Sequence, residues 1–238
     1  MYFRKKLLSL LPIYLLCPII LIAIALFTSY SVTVYNETSP LQFQKTFIID
    51  AGHGGVDGGA TSCTGILESH INLQIAGRLN DFMHLLGMNT LMIRTEDVSV
   101  YTEGNTIAAK KVSDLKERIR RINQTKNAVL ISIHQNHFTD PKYYGAQVFY
   151  GSHNHSRNFA QSMQQGFADL LVTNRKIKKA EGVYLMQHVN CPAILIECGF
   201  LSNPDEDALL QSEQYQKKLS AIIACMCSQY CQQNSLIA

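Results

Sequence analysis

His53, Glu68 and His134 can offer two imidazoles and one carboxylate to a single divalent cation, and Glu197 can stand beside them as a base. That ligand mixture suits zinc, and three protein ligands leave a fourth tetrahedral position for water. A site of this kind is hydrolytic rather than structural, because zinc polarises a carbonyl and lowers the pKa of a bound water toward about 7. Glu197 would take the proton as water attacks and deliver it to the leaving group. Plainer readings exist for each residue. A lone histidine after a strand is often a hydrogen-bonded loop residue, and Glu68 could simply favour a helix N-terminus electrostatically. Glu197 closes an apolar run, where a buried carboxylate needs a partner or a chemical role.

Three apolar runs must bring these groups together: Ile48-Ile49-Asp50, Leu130-Ile131-Ser132-Ile133 and Ala193-Ile194-Leu195-Ile196. Each reads as a buried parallel strand, and chemistry in open α/β sheets collects at the carboxyl ends of such strands. The first run leads into Gly52-His53-Gly54-Gly55, where glycines permit positive φ and close backbone approach. Strands are expected at Thr46 to Asp50, Asn89 to Arg94, Ala128 to Ile133, Ala146 to Tyr150, Gly182 to Met186 and Ala193 to Glu197. Helical apolar spacing runs from Leu67 to Leu86, ended by Gly87 as a C-cap. Further helices are expected from Ser113 or Asp114 as cap to Asn123, from Ser156 to Leu171, and in a terminal region from Leu209 to Cys231. Alternating strands and helices predict an α/β fold: three αβα layers, with a mostly parallel twisted sheet flanked by helices.

The totals agree with one such domain. The chain has 238 residues, a formal charge of +3 and 47% hydrophobic residues. No basic stripe with interleaved aromatics appears, which argues against nucleic acid as a partner. Arg4, Lys5 and Lys6 precede an apolar run from Leu7 to about Thr28, long enough to span a bilayer. The positive cluster lies before the run, so the positive-inside rule places the rest of the chain outside the cytoplasm. Residues 1–30 are read as a signal anchor, 31–43 as a linker and 44–238 as the catalytic domain. Cys191 and Cys198 flank one strand and would stand about 20 Å apart, beyond bridging range. The cysteines after Cys17 are therefore read as small buried hydrophobes.

Taken with Glu197-Cys198-Gly199-Phe200-Leu201-Ser202-Asn203, the Gly-His-Gly-Gly turn, the strand end at Arg94 and Ile-Ser-Ile-His, the chain resembles zinc-dependent N-acetylmuramoyl-L-alanine amidases of bacterial cell walls. The resemblance spans about residues 44 to 233. Lys179 to Leu185 and Lys110 to Asn123 look most like the sporulation and germination branch. Ala51 departs from a frequent proline, and His137 stands where a small residue is frequent. The resemblance implies one zinc ion at His53, Glu68 and His134, with Glu197 as base. Asn72, Arg94, His137 and Asp57 become candidates for substrate binding or for orienting ligands. The implied reaction cleaves the amide between N-acetylmuramic acid and the L-alanine of peptidoglycan stems. In the sporulation branch this serves muramic-δ-lactam formation in spore cortex, which places the enzyme in the space between forespore and mother cell membranes.

His137 to Glu181 is too short and polar to carry an inhibitory helix, so control is expected from compartment, timing or an accessory activator at the membrane. Two alternatives remain at this point. A zinc peptidase would shorten the stem, and a wall-binding scaffold with an inactive site would release nothing.

Overall fold

The computed structural model describes residues 45–235. The apolar run read as a membrane segment lies outside them, and no helix among the described residues is long and apolar enough to cross a membrane.

The elements alternate as expected. Strand β1 is Thr46–Ala51, helix α1 Glu68–Leu85, β2 Asn89–Met92, α2 Ile107–Gln124 and β3 Ala128–Asn136. There follow β4 Gln147–Tyr150, α3 Ser156–Leu170, β5 Lys178–Lys179, α4 Tyr184–His188, β6 Ala193–Phe200, α5 Pro204–Gln211 and α6 Glu213–Ser235. The sheet order is β2-β1-β3-β6-β4-β5. β1 pairs in parallel with β2 and β3, β3 with β6, and β4 with β5, while β4 runs antiparallel to β6. The sheet is therefore mixed: β1, β3 and β6, which carry the site, are parallel to one another, and the antiparallel pairing lies on the outer edge of β6.

Period-two alternation divides the core between the two faces. Phe47, Ile49, Ile131, Ile133, Ile194 and Ile196 pack with Ile71, Ile75 and Leu79 of α1, Phe159 and Phe167 of α3, and Leu219 and Ile223 of α6. Ile48, Leu130, Ala193 and Leu195 pack on the other side with Ile122 of α2 and with Leu185 and Met186 of α4. Of the six free cysteines among the described residues, Cys191, Cys198, Cys227 and Cys231 are buried as expected, whereas Cys63 and Cys225 are exposed.

Several boundaries differ from the sequence reading for identifiable reasons. Helix α2 starts six residues before Ser113: Thr106 is its cap, and the Thr106 hydroxyl accepts from Ala109 N at 3.1 Å. Ser113 and Asp114 instead hold the incoming loop. Ser113 Oγ accepts from Thr102 N and Glu103 N at 3.1 and 3.2 Å, and Asp114 Oδ1 accepts from Val100 N at 2.6 Å. The strand expected over Gly182 to Met186 is a loop and the short helix α4. Its adjacent residues Leu185 and Met186 pack into the same core cluster, which strand alternation does not allow. The terminal helix is two helices, because Asn203 caps α5 through Asp205 N and Glu206 N, with Pro204 in the first turn, and Ser212 separates α5 from α6. Gly87 does end α1: it has φ +74, its N–H reaches His84 O, and Met88 N reaches Met83 O, the paired bonds of a Schellman stop.

Candidate active site

Parallel pairing of β1 with β3 and of β3 with β6 sets three carboxyl ends side by side. His134 pairs with Glu197, and Ala51 pairs with Ile133 one residue before His134. After Ala51 the chain turns through His53, itself at φ +60, and returns to start α1 at Glu68. The turn must hug the strand beside it. A Cβ on Gly52 would overlap the His134 ring, and one on Gly59, at φ +71, would lie 2.6 Å from Glu68 Oε2. Glycine at these two positions is what lets the loop close over His134 and Glu68.

Glu68 is the hub. Its Oε1 lies 3.0 Å from His134 Nδ1 and accepts from Gln135 N at 3.1 Å and Asn72 Nδ2 at 3.2 Å. Its Oε2 accepts from Ala60 N at 3.0 Å and lies 3.3 Å from His53 Nε2. The two imidazoles meet edge-on, with centroids 4.9 Å apart. One ligand atom from each of His53, Glu68 and His134 falls within 4.8 Å of the others. This donor set, two nitrogens and one carboxylate oxygen converging on one point, fits zinc with an open position. Asp57 Oδ2 holds His53 Nδ1 at 2.9 Å, as an outer carboxylate would orient an imidazole that binds a metal. Lys111 occupies the other Asp57 oxygen at 2.7 Å.

Without a metal ion, the charges of the site bind one another. Burial opposes ionisation of Glu68, yet His134 and His53 hold its carboxyl far below the usual range. Burial would lower the His53 pKa, but hydrogen bonds to Asp57 and Glu68 carry it up to about 9. Glu197 is the opposite case: burial pushes its pKa up to about 7, and its Oε2 is buried with no partner. An unpartnered buried carboxylate oxygen is expensive in a fold and fits a group kept for chemistry.

The remaining candidates fall into two sets. Asn72 is fully buried and bonds Gly52 O and Glu68, with Gln135 Nε2 donating to its Oδ1. Arg94 is buried and donates to Ala51 O, Gly52 O, Ser69 O and Glu96 O at 2.8 to 3.0 Å, so it braces the turn's backbone. His137 is exposed just past β3 and is not among the converging ligands. Sequence reasoning missed Arg118, which binds Asp50, Asp114 and the carbonyls of Ala51 and His53. Ser132 completes the shell by donating to Asp50 Oδ2 at 2.7 Å. The available signal was Asp50 itself, a charge inside an apolar strand that required a partner.

Fold and site together fit a hydrolase on an α/β sheet, with His53, Glu68 and His134 placed where they could hold a metal ion. The family model for N-acetylmuramoyl-L-alanine amidase matches residues 47–227, and the chain belongs to that family of enzymes. A germination-specific N-acetylmuramoyl-L-alanine amidase of Bacillus subtilis (strain 168) is 38% identical over 182 residues, covering 75% of this chain and 76% of the relative. The CwlD amidase of Clostridioides difficile, solved in complex with the GerS lipoprotein, superimposes with a TM-score of 0.75 at 37% identity, over 79% of this chain and 98% of that one. The catalytic domain of CwlV, an amidase from Bacillus (Paenibacillus) polymyxa var. colistinus, gives a TM-score of 0.68 at 27% identity, over 79% and 98%.

Proposed function

We propose that this enzyme hydrolyses the amide between N-acetylmuramic acid and L-alanine of peptidoglycan stems with one zinc ion at His53, Glu68 and His134. The observation that carries the reading is Glu197 Oε2, buried without a partner and paired in register with the ligand His134. When bound, zinc supplies Lewis acidity toward the scissile carbonyl and acidifies water at its open position. Glu197 takes a proton from the attacking water at Oε2 and returns it to the leaving nitrogen, so that alanine departs as a neutral amine. Asp57 holds His53 Nδ1, and Asn72 with Gln135 N holds Glu68 Oε1, so the ligands keep their aim without reorganising.

The likeness to a germination-specific relative and to CwlD supports a place in spore cortex maturation, where muramic-δ-lactam forms. That role sets the enzyme outside the cytoplasm, held by residues 1–30 at the membrane facing the intermembrane space of the forespore. The lipoprotein in the CwlD complex supports an accessory protein as partner for this chain as well. Product analysis on denuded peptidoglycan tests the reaction. Stems released with a free N-terminal L-alanine support it, whereas shortened stems or no release from a zinc-loaded chain would exclude it.

A further inference from the structure

The end of β6 beyond Glu197 carries chemistry that the hydrolytic step does not use. β3 takes two steps from His134 to Asn136, while β6 takes three between their partners Glu197 and Phe200. The extra residue is a bulge, and a bulge re-aims the side chains that follow it. Cys198 and Leu201 both belong to the core on the α1, α3 and α6 face. A Cβ on Gly199 would meet Leu210 and Glu206 of α5 on that same side. Phe200 is therefore returned to the face that carries Glu197, where strict alternation would have turned it away.

Phe200 there stacks on Tyr143, with centroids 6.2 Å apart, and Phe138 meets Tyr143 edge-on at 4.9 Å. Phe138 is 50% exposed. The loop is fixed to the β6–α5 corner: Phe138 N donates to Ser202 Oγ at 3.0 Å, and Asn203 Nδ2 donates to Pro141 O at 2.9 Å. The Arg175 guanidinium lies 4.7 Å from the Phe200 centroid and 5.3 Å from that of Tyr143, and its Nε donates to Tyr144 O at 2.9 Å. Glu206 is the acid nearest in influence, but its oxygens accept from Gly145 N and Phe200 N at 2.9 and 2.8 Å. Two rings and one carbonyl thus set the plane of Arg175 and leave its Nη edge as a preset fork, the geometry that receives a carboxylate.

We infer that Arg175, Tyr143, Phe138 and Phe200 form a subsite for the leaving peptide, in which Arg175 takes the free carboxylate of the second stem residue. The inference rests on the amidase reading above. Two pairing steps separate Glu197 from Phe200, roughly 7 Å at the usual strand rise. An extended peptide advances about 3.5 Å per residue. A carboxylate on the glutamate that follows L-alanine lies at about that reach from the broken amide.

The test compares two N-acetylmuramoyl dipeptides of L-Ala-D-Glu whose γ-carboxylate is blocked as an amide, one with its α-carboxylate free and the other with that group amidated as well. On the full zinc-loaded chain, kcat/KM is expected to be at least about tenfold higher for the free acid, mainly through KM. Arg175→Gln is expected to erase the preference by bringing kcat/KM for the free acid down to that of the amide. Arg175→Lys keeps the charge without the fork and should restore part of it. A wild-type chain with no preference, or an Arg175→Gln variant that keeps one, overturns the subsite. A second arm needs no turnover: binding of L-Ala-D-Glu and its amide to the same chains, followed by NMR. Loss of the free acid's advantage in Arg175→Gln supports the subsite, and equal binding of both peptides to wild type overturns it. Peptide binding as expected with no cleavage of either muropeptide would leave the subsite standing and fail the amidase reading instead.

Discussion

His134 and Glu197 are register partners across β3 and β6, so the proposed metal ligand and the proposed base stand one strand spacing apart, about 4.8 Å between backbones. Two ordinary parallel strands thus place both groups without any special loop. Only the His53–Glu68 side of the site depends on a turn.

Glu197→Gln preserves shape and removes the base. Turnover should fall about 100- to 10,000-fold, the usual worth of a positioned general base. Zinc content should stay at one per chain, read by metal analysis of the purified protein. Normal turnover by this variant would sink the base assignment.

Chelation should abolish hydrolysis and added zinc should restore it. Glu68→Ala removes the group that touches both histidines, so its zinc affinity should drop steeply while the sheet stays folded. Equilibrium binding against a metal indicator, with circular dichroism as the folding control, gives the answer.

Gly52→Ala places a methyl into the His134 ring. The imidazole must move, and zinc affinity is expected to fall about 10- to 100-fold, the range for disturbed ligand support. A variant that binds zinc like wild type would show that the turn can yield.

Asp50 and Arg118 form a buried pair far from solvent. Asp50→Asn leaves Arg118 short of a charge partner and should cost about 3 kcal/mol or more, measured by denaturant unfolding. The pair also sets a pH dependence. Burial raises the Asp50 pKa, but Arg118 and Ser132 bring it below the ordinary value. A depressed folded pKa adds stability above the unfolded value of about 3.9, and that stability is lost as pH falls through the folded pKa. The gap between wild type and Asp50→Asn should be constant above about pH 5 and narrow below about pH 4. A gap unchanged down to pH 2 would mean that Asp50 is not the titrating partner.

Much of this site was legible because its parts sit at the ends of strong periodic signals. Apolar runs before His134 and Glu197 marked central strands, and glycines around His53 marked a turn with unusual backbone needs. The bracing was harder to read. Arg118 lies 68 residues from Asp50 and shows in the sequence only as one charge on a charged helix. Ser113 and Asp114 resembled a helix start, because the same side-chain chemistry that caps a helix also holds a neighbouring loop. Helix α4 was misread as a strand because a short apolar stretch after a glycine carries no decisive period. The antiparallel entry of β4 was hidden for a related reason: pairing direction is set by tertiary path, not by the residues of the strand.

The bulge in β6 makes that corner of the cleft sensitive to length rather than to composition. Deleting one residue between Glu197 and Phe200 would remove the bulge yet leave Phe200 and Leu201 on their present faces, whereas inserting one with the bulge kept would exchange them. After the insertion the phenylalanine would turn toward the α1, α3 and α6 core and the leucine would take its place beside Tyr143. A chain with every side chain retained would then have two neighbours traded between the core and the aromatic corner. Substitutions at Gly199 test how tightly the corner packs, whereas a one-residue insertion there tests which way it faces.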